Sequence, residues 1–142
     1  MKLFFSATNK EINFDLLDLL KILKDVFKTD NFEFELFDYE YNGVNFDWRN
    51  INQNIINFLE EENKDIKLII NYTDFLKFAE FINQTEKGSF KVVLLTRNIS
   101  LEVNVYDSYF WNISSNNEKA LFSLSDHNKL VNFKRRIEVT ED

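Results

Sequence analysis

NFEFELFDYEYNGVNFDW, residues 31–48, is the stretch on which the reading of the fold turns. Asn42-Gly43 stands near its centre, with aromatics and acids alternating before it. An Asn-Gly pair supplies the two positive φ angles of a two-residue type I′ turn, so residues 37–48 read as a β-hairpin. That turn pairs Tyr41 with Val44, Glu40 with Asn45, Tyr39 with Phe46, Asp38 with Asp47 and Phe37 with Trp48. Side chains alternate along a strand, so Phe37, Tyr39, Tyr41, Val44, Phe46 and Trp48 share one face. Asp38, Glu40, Asn45 and Asp47 share the other. Upstream, Phe32, Phe34 and Leu36 keep a different phase from Phe37, Tyr39 and Tyr41. A flip at Leu36-Phe37 predicts a bulge, a bend or burial on both sides.

Outward from this stretch, the chain reads as helices followed by strands. Residues 2–6 are expected to form a first strand. A helix over about 9–28 is expected from Ile12, Leu16, Leu19, Leu20, Leu23 and Phe27 on one face, with Thr8 and Glu11 at capping-box spacing. A second helix over about 49–63 carries Ile51, Ile55, Phe58 and Leu59, with Asp47 or Asn50 as its N-cap. Capping by Asp47 shortens the hairpin and gives Trp48 to the helix. A strand over 65–72 leads to a third helix capped by Thr73, with Gly88 past its end. Strands are expected over 90–96, 99–105, 109–114 and 120–124, and over 130–139 in preference to a helix. The expected architecture is α+β. A single domain, 1–142, holds a mixed or largely antiparallel sheet with about three helices, mainly in the N-terminal half.

Composition narrows the function classes. The chain has 142 residues, no Cys, one His and two Gly. Disulfides, thiolate metal sites and Cys nucleophiles are excluded, and Gly43 and Gly88 alone are too few and too far apart for a phosphate-binding or dinucleotide-binding glycine loop. The apolar run Leu3–Phe5 is shorter than a signal-peptide core, and no stretch is long enough to span a bilayer. A cytoplasmic, bacterial protein with no membrane contact is therefore expected. The net charge is −7, and residues 30–65 hold ten acids opposed only by Arg49 and Lys64. A phosphate-backbone binder needs a basic face, and Lys134-Arg135-Arg136 is too short a run to supply one. Direct nucleic-acid binding is therefore not expected.

Acids set among Tyr and Trp suit a basic protein partner: the carboxylates steer association and the rings supply contact area. The candidate partner-binding residues are Asp38, Tyr39, Glu40, Tyr41, Asp47 and Trp48, extended by Glu60, Glu61 and Glu62. His127, in Ser-Asp-His-Asn, reads as an exposed turn histidine, because triads rest on geometry and seldom on sequence neighbours. An exposed Trp111 would be a second contact. No catalytic residue, metal site or cofactor is singled out. The expected function is that of a small non-enzymatic binding protein, an immunity-type inhibitor that neutralises a basic toxin domain such as a nuclease. The alternatives are a phage-type inhibitor that mimics nucleic acid, a carboxylate- or metal-dependent hydrolase, and a subunit of a larger assembly.

Overall fold

The computed structural model describes residues 1–6, 14–44, 51–60, 67–131 and 133–138. Among them the chain is α+β, with one antiparallel seven-stranded sheet and four helices. In chain order these are β1 (Lys2–Ser6), α1 (Leu16–Phe27), β2 (Phe32–Val44), α2 (Gln53–Glu60), β3 (Leu68–Asn71) and α3 (Tyr72–Phe81). Then come β4 (Ile82–Leu94), β5 (Ile99–Tyr106), β6 (Phe110–Ser115), α4 (Glu118–Ser125) and β7 (Lys134–Glu138). Across the sheet the order is β3-β2-β4-β5-β6-β1-β7. None of the described helices is long and apolar enough to cross a membrane.

Residues 37–44 are no hairpin arm and turn. β2 runs straight through Asn42-Gly43 and pairs with β4, Asn42 facing Gln84 and Val44 facing Ile82. A two-residue turn is a local gain, whereas β4 offers a partner along nearly the whole of β2. The predicted phase flip is a β-bulge, a register shift between Leu36 and Asp38. Phe37 is the extra residue and points outward, 43% exposed. The bulge lets Phe32, Phe34 and Leu36 before it, and Tyr39 after it, all face the core.

β4 is itself longer than expected. It begins directly after α3, so Gly88 lies inside a strand and ends no helix. Close approach explains the glycine: a Cβ there would stand 3.2 Å from the Tyr39 ring. Residues 120–124, expected as a strand, belong to α4. Asn117 caps α4 by accepting from the Ala120 N–H at 3.0 Å, and Ala120, Leu121 and Leu124 are buried. The expected caps also move. α1 starts at a capping box of Asp15 and Asp18, and Asn71, not Thr73, caps α3. Thr8 and Glu11 lie outside the described residues, as do Asp47 and Asn50.

The helices pack on one face of the sheet. Phe34, Phe75, Phe78, Phe90 and Tyr39 interlock between β2, β4 and α3, with centroids 4.9 Å apart for Phe34–Phe75 and 5.7 Å for Tyr39–Phe78. A second nest joins Phe5, Phe14, Trp111 and Phe133, with Phe14–Trp111 at 5.1 Å edge-on. Such pairs add about 0.5–1.5 kcal/mol each beyond area burial. Tyr72 Oη donates to the Leu20 carbonyl at 3.0 Å and ties α3 to α1.

A polar thread crosses this core. Asp15, 8% exposed, accepts from the backbone N–H of Leu16 at 2.7 Å and of Thr85 at 3.0 Å. The Thr85 hydroxyl is hydrogen-bonded to Tyr39 Oη. Burial raises the Asp15 carboxyl above its ordinary value of 3.8, although its hydrogen bonds to Thr85 and Leu16 pull the other way. Burial likewise pushes the Tyr39 phenol well up. A raised carboxyl keeps its proton in the native state at pH values where the unfolded chain has released it. Stability is therefore lost as pH rises from 3.8 through the native value. Asp15→Asn keeps an acceptor for the cap and removes the charge. Its stability relative to wild type should rise across that window in a urea-unfolding series, and a relative fall would contradict the assignment.

Candidate functional site

β2 brings a line of carboxylates to the face turned away from the helices. Phe32, Phe34 and Leu36 point inward, so Glu33 and Glu35 point outward. Past the bulge, Asp38 and Glu40 continue the line, and Phe37 stands exposed beside them. Ile69 on β3 faces Glu35 and is 50% exposed. Lysines flank the line. Lys67 lies 3.7 Å from Glu35 and Lys87 lies 3.8 Å from Asp38. Both lysines are well exposed and both pairs are long, so each contributes at most about 1 kcal/mol.

The line ends in a recess of about 590 Å³, walled by Glu40, Glu86, Lys87, Tyr106, Asp107 and Ser108. Three strands and a turn build it. Glu40 on β2 faces Lys87 on β4, and Tyr106 ends β5. Asp107 and Ser108 form the β5–β6 turn with φ of 51° and 65°. Two successive left-handed residues other than glycine cost about 1–2 kcal/mol each. The Ser108 N–H donates to the Glu86 carbonyl at 2.9 Å and pins the turn over the start of β4. Three carboxylates and a half-exposed tyrosine thus surround a space with one lysine. An incoming guanidinium or ammonium finds both countercharge and a ring face there.

The residues singled out in the sequence do not assemble into one surface. Asp38 and Glu40 are on the open face. Tyr39, 1% exposed, is core, because adjacent strand residues face opposite ways. Tyr41 is half-buried on the helix side, its ring 5.8 Å from that of Phe78. Burial raises its phenol first, and the nearby Glu60 carboxylate adds to this. Glu60 therefore sits beside Tyr41 on the helix side of the sheet, away from Asp38 and Glu40. Asp47, Trp48, Glu61 and Glu62 lie outside the described residues. Trp111 is fully buried, so it offers no second contact. Glu86, Tyr106 and Asp107 escaped the sequence reading, since only the β2–β4 register and the β5–β6 turn bring them to Glu40.

His127 is no exposed turn histidine. Its Nδ1 accepts from the Lys129 N–H at 3.1 Å, so the neutral ring carries its proton on Nε2 and donates it to Asp25 Oδ2 at 3.0 Å. Both ring nitrogens are engaged, and the ring ties the end of α1 to the segment before β7. Its carboxylate partner is Asp25, 102 residues away in sequence, and not the adjacent Asp126. Among the described residues, no group of three or more His, Asp or Glu is arranged to hold a metal ion. Comparison with protein-family models, with curated proteins and with solved structures returns no match.

Proposed function

We propose that the chain is a binding protein for a basic protein partner, acting as an immunity-type inhibitor that neutralises a basic toxin domain. The observation that carries this reading is the recess of Glu40, Glu86 and Asp107 beside Tyr106. A partner arginine or lysine enters it, and Asp38, Glu35 and Glu33 continue the negative field along β2. Exposed Phe37 and Ile69 give that strip apolar contact area next to its charge. Interfaces combine these elements, an aromatic or apolar anchor within a charged, solvated rim. Nucleic-acid mimicry is favoured less, because Lys67, Lys87 and Lys91 interrupt the negative line.

The test is affinity capture from the native host with wild type beside the Asp38→Lys, Glu40→Lys, Glu86→Lys variant. The recovered protein is then purified and titrated against both. One basic protein should bind wild type directly, and the variant should bind it at least about 100-fold more weakly. Equal affinity for a properly folded variant would place the interface elsewhere. Recovery of an acidic partner would contradict the reading outright.

A further inference from the structure

The acidic recess is one half of a two-part surface. Its wall Tyr106 pairs across the β5–β6 ladder with Phe110, ring centroids 6.4 Å apart. Phe110 in turn lies 6.1 Å from Phe4 on β1. The three rings form a continuous ridge over β5, β6 and β1 on the open face. Tyr106 and Phe110 are 48% and 41% exposed, and Tyr109 at the turn is 57% exposed. Beyond Phe4 the charge reverses. A groove of about 360 Å³ is lined by Phe4, Phe5, Ser6, Phe110 and the three cations Lys134, Arg135 and Arg136. Arg136 stacks on the Phe4 ring, its guanidinium carbon 5.4 Å from the centroid. It also reaches Glu138 at 3.0 Å. Lys134 and Arg136 register with Ser6 and Phe4 and share their open face, whereas Arg135 registers with the core residue Phe5 and takes the opposite phase.

An acidic recess, an aromatic ridge and a basic groove therefore lie in that order on one face. A surface of this kind is complementary to itself. A two-fold axis through the ridge turns the order around, so the recess of one copy meets the groove of the other, twice. We propose that this face binds a second copy of the chain, as an isologous dimer centred on Tyr106, Phe110 and Phe4. Charge complementarity selects the occupant. An acidic partner would satisfy only the groove and a basic partner only the recess, whereas a second copy satisfies both and buries the ridge. Aromatic residues and Arg at the centre with charged residues outside match the anatomy of protein interfaces. A standard interface takes about 800 Å² per partner, about a tenth of the 8217 Å² accessible surface. The dimer covers the recess assigned above to a basic partner, so the two associations exclude each other. The inference does not rest on that assignment.

The test uses the purified full chain alone, by sedimentation over a range of concentrations at low and at physiological salt. Wild type should show a concentration-dependent dimer that weakens as salt rises. Glu40→Lys with Glu86→Lys makes both lobes positive, and Lys134→Glu with Arg136→Glu makes both negative. Each variant alone should be monomeric, its dissociation constant raised at least about 30-fold. An equimolar mixture of the two should restore the dimer, because each positive lobe then meets a negative one. Phe110→Ser, which keeps the charge and removes the central ring, should also dissociate it, and it serves if a charge variant fails to fold. Wild type that stays monomeric to about 1 mM, the range of the weakest specific complexes, overturns the proposal. So does a dimer unaffected by these substitutions, or a mixture that fails to reassociate.

Discussion

Tyr39→Ala should lower the unfolding free energy by about 3–5 kcal/mol, the range for deleting a buried aromatic ring. That is a large share of a typical margin of about 5–15 kcal/mol. The ring is held between Phe78 at 5.7 Å, Phe75 at 6.3 Å and Phe90 at 6.5 Å, and Gly88 backs onto it. Tyr39→Phe isolates the polar part. It removes the phenol partner of the fully buried Thr85 hydroxyl, which keeps Asp15 as a second partner, and should cost about 0.5–1.5 kcal/mol. Urea unfolding measures both. Asp38→Asn and Glu40→Gln, next to Tyr39 in sequence but on the open face, should stay within about 0.5 kcal/mol of wild type. A small effect at Tyr39, with large ones at its neighbours, would reverse the assignment of faces.

Trp111 is the second position where a single change has a large effect. The side chain is fully buried, 6.4 Å from Phe5 in a stacked pair and 5.1 Å from Phe14 edge-on. Trp111→Ala should cost about 3–5 kcal/mol. Trp111→Phe should cost much less than the lost ring area suggests. Among the described residues the buried indole Nε1 has no hydrogen-bond partner, so the substitution also removes an unsatisfied donor. Leaving such a donor buried costs about 1–3 kcal/mol. Equal losses for Trp111→Ala and Trp111→Phe would show that the indole N–H is engaged and contributes to stability.

Local order was legible where one segment carried its own periodicity. The Leu16, Leu19, Leu20, Leu23 and Phe27 face announced α1, and alternation from Ile99 to Val105 announced β5. The α+β class followed from the order of such segments. The phase change at Leu36-Phe37 even located the β2 bulge. What failed was everything decided by a distant partner. Asn42-Gly43 has strong turn chemistry, but β4 competes for the same backbone groups, and its pairing partners lie about forty residues downstream. α4 is eight residues long, too short for helical period to separate Ala120, Leu121 and Leu124 from a strand. Its signal was Asn117, an N-cap residue just before it.

The candidate site was legible only in part for the same reason. Asp38 and Glu40 could be placed on one face by alternation alone. Tyr39 and Tyr41 were placed correctly on the other, but the hairpin reading gave no means of telling that Tyr39 is sealed under α3. Glu86 and Asp107 lie far from Glu40 in sequence, and no local pattern marks them as neighbours. The ridge of Phe4, Tyr106 and Phe110 needs β1, β5 and β6 side by side, although β1 comes first in the chain and the other two come after residue 98. Net charge had pointed to residues 30–65, whereas the structure mixes that acidity with lysines from β4 and couples it to a basic edge.

The proposed basic partner enters the open face through the Glu40, Glu86 and Asp107 recess. The most direct measurement is the affinity for the captured partner as a function of salt. It compares wild type with Asp38→Asn, Glu40→Gln, Glu86→Gln, which keeps shape and removes charge. Wild-type affinity should fall steeply from about 10 mM to 150 mM salt as screening shortens from about 30 Å to 8 Å. The neutral variant should bind more weakly at low salt and lose most of that dependence. Identical salt profiles for the two proteins would contradict the claim.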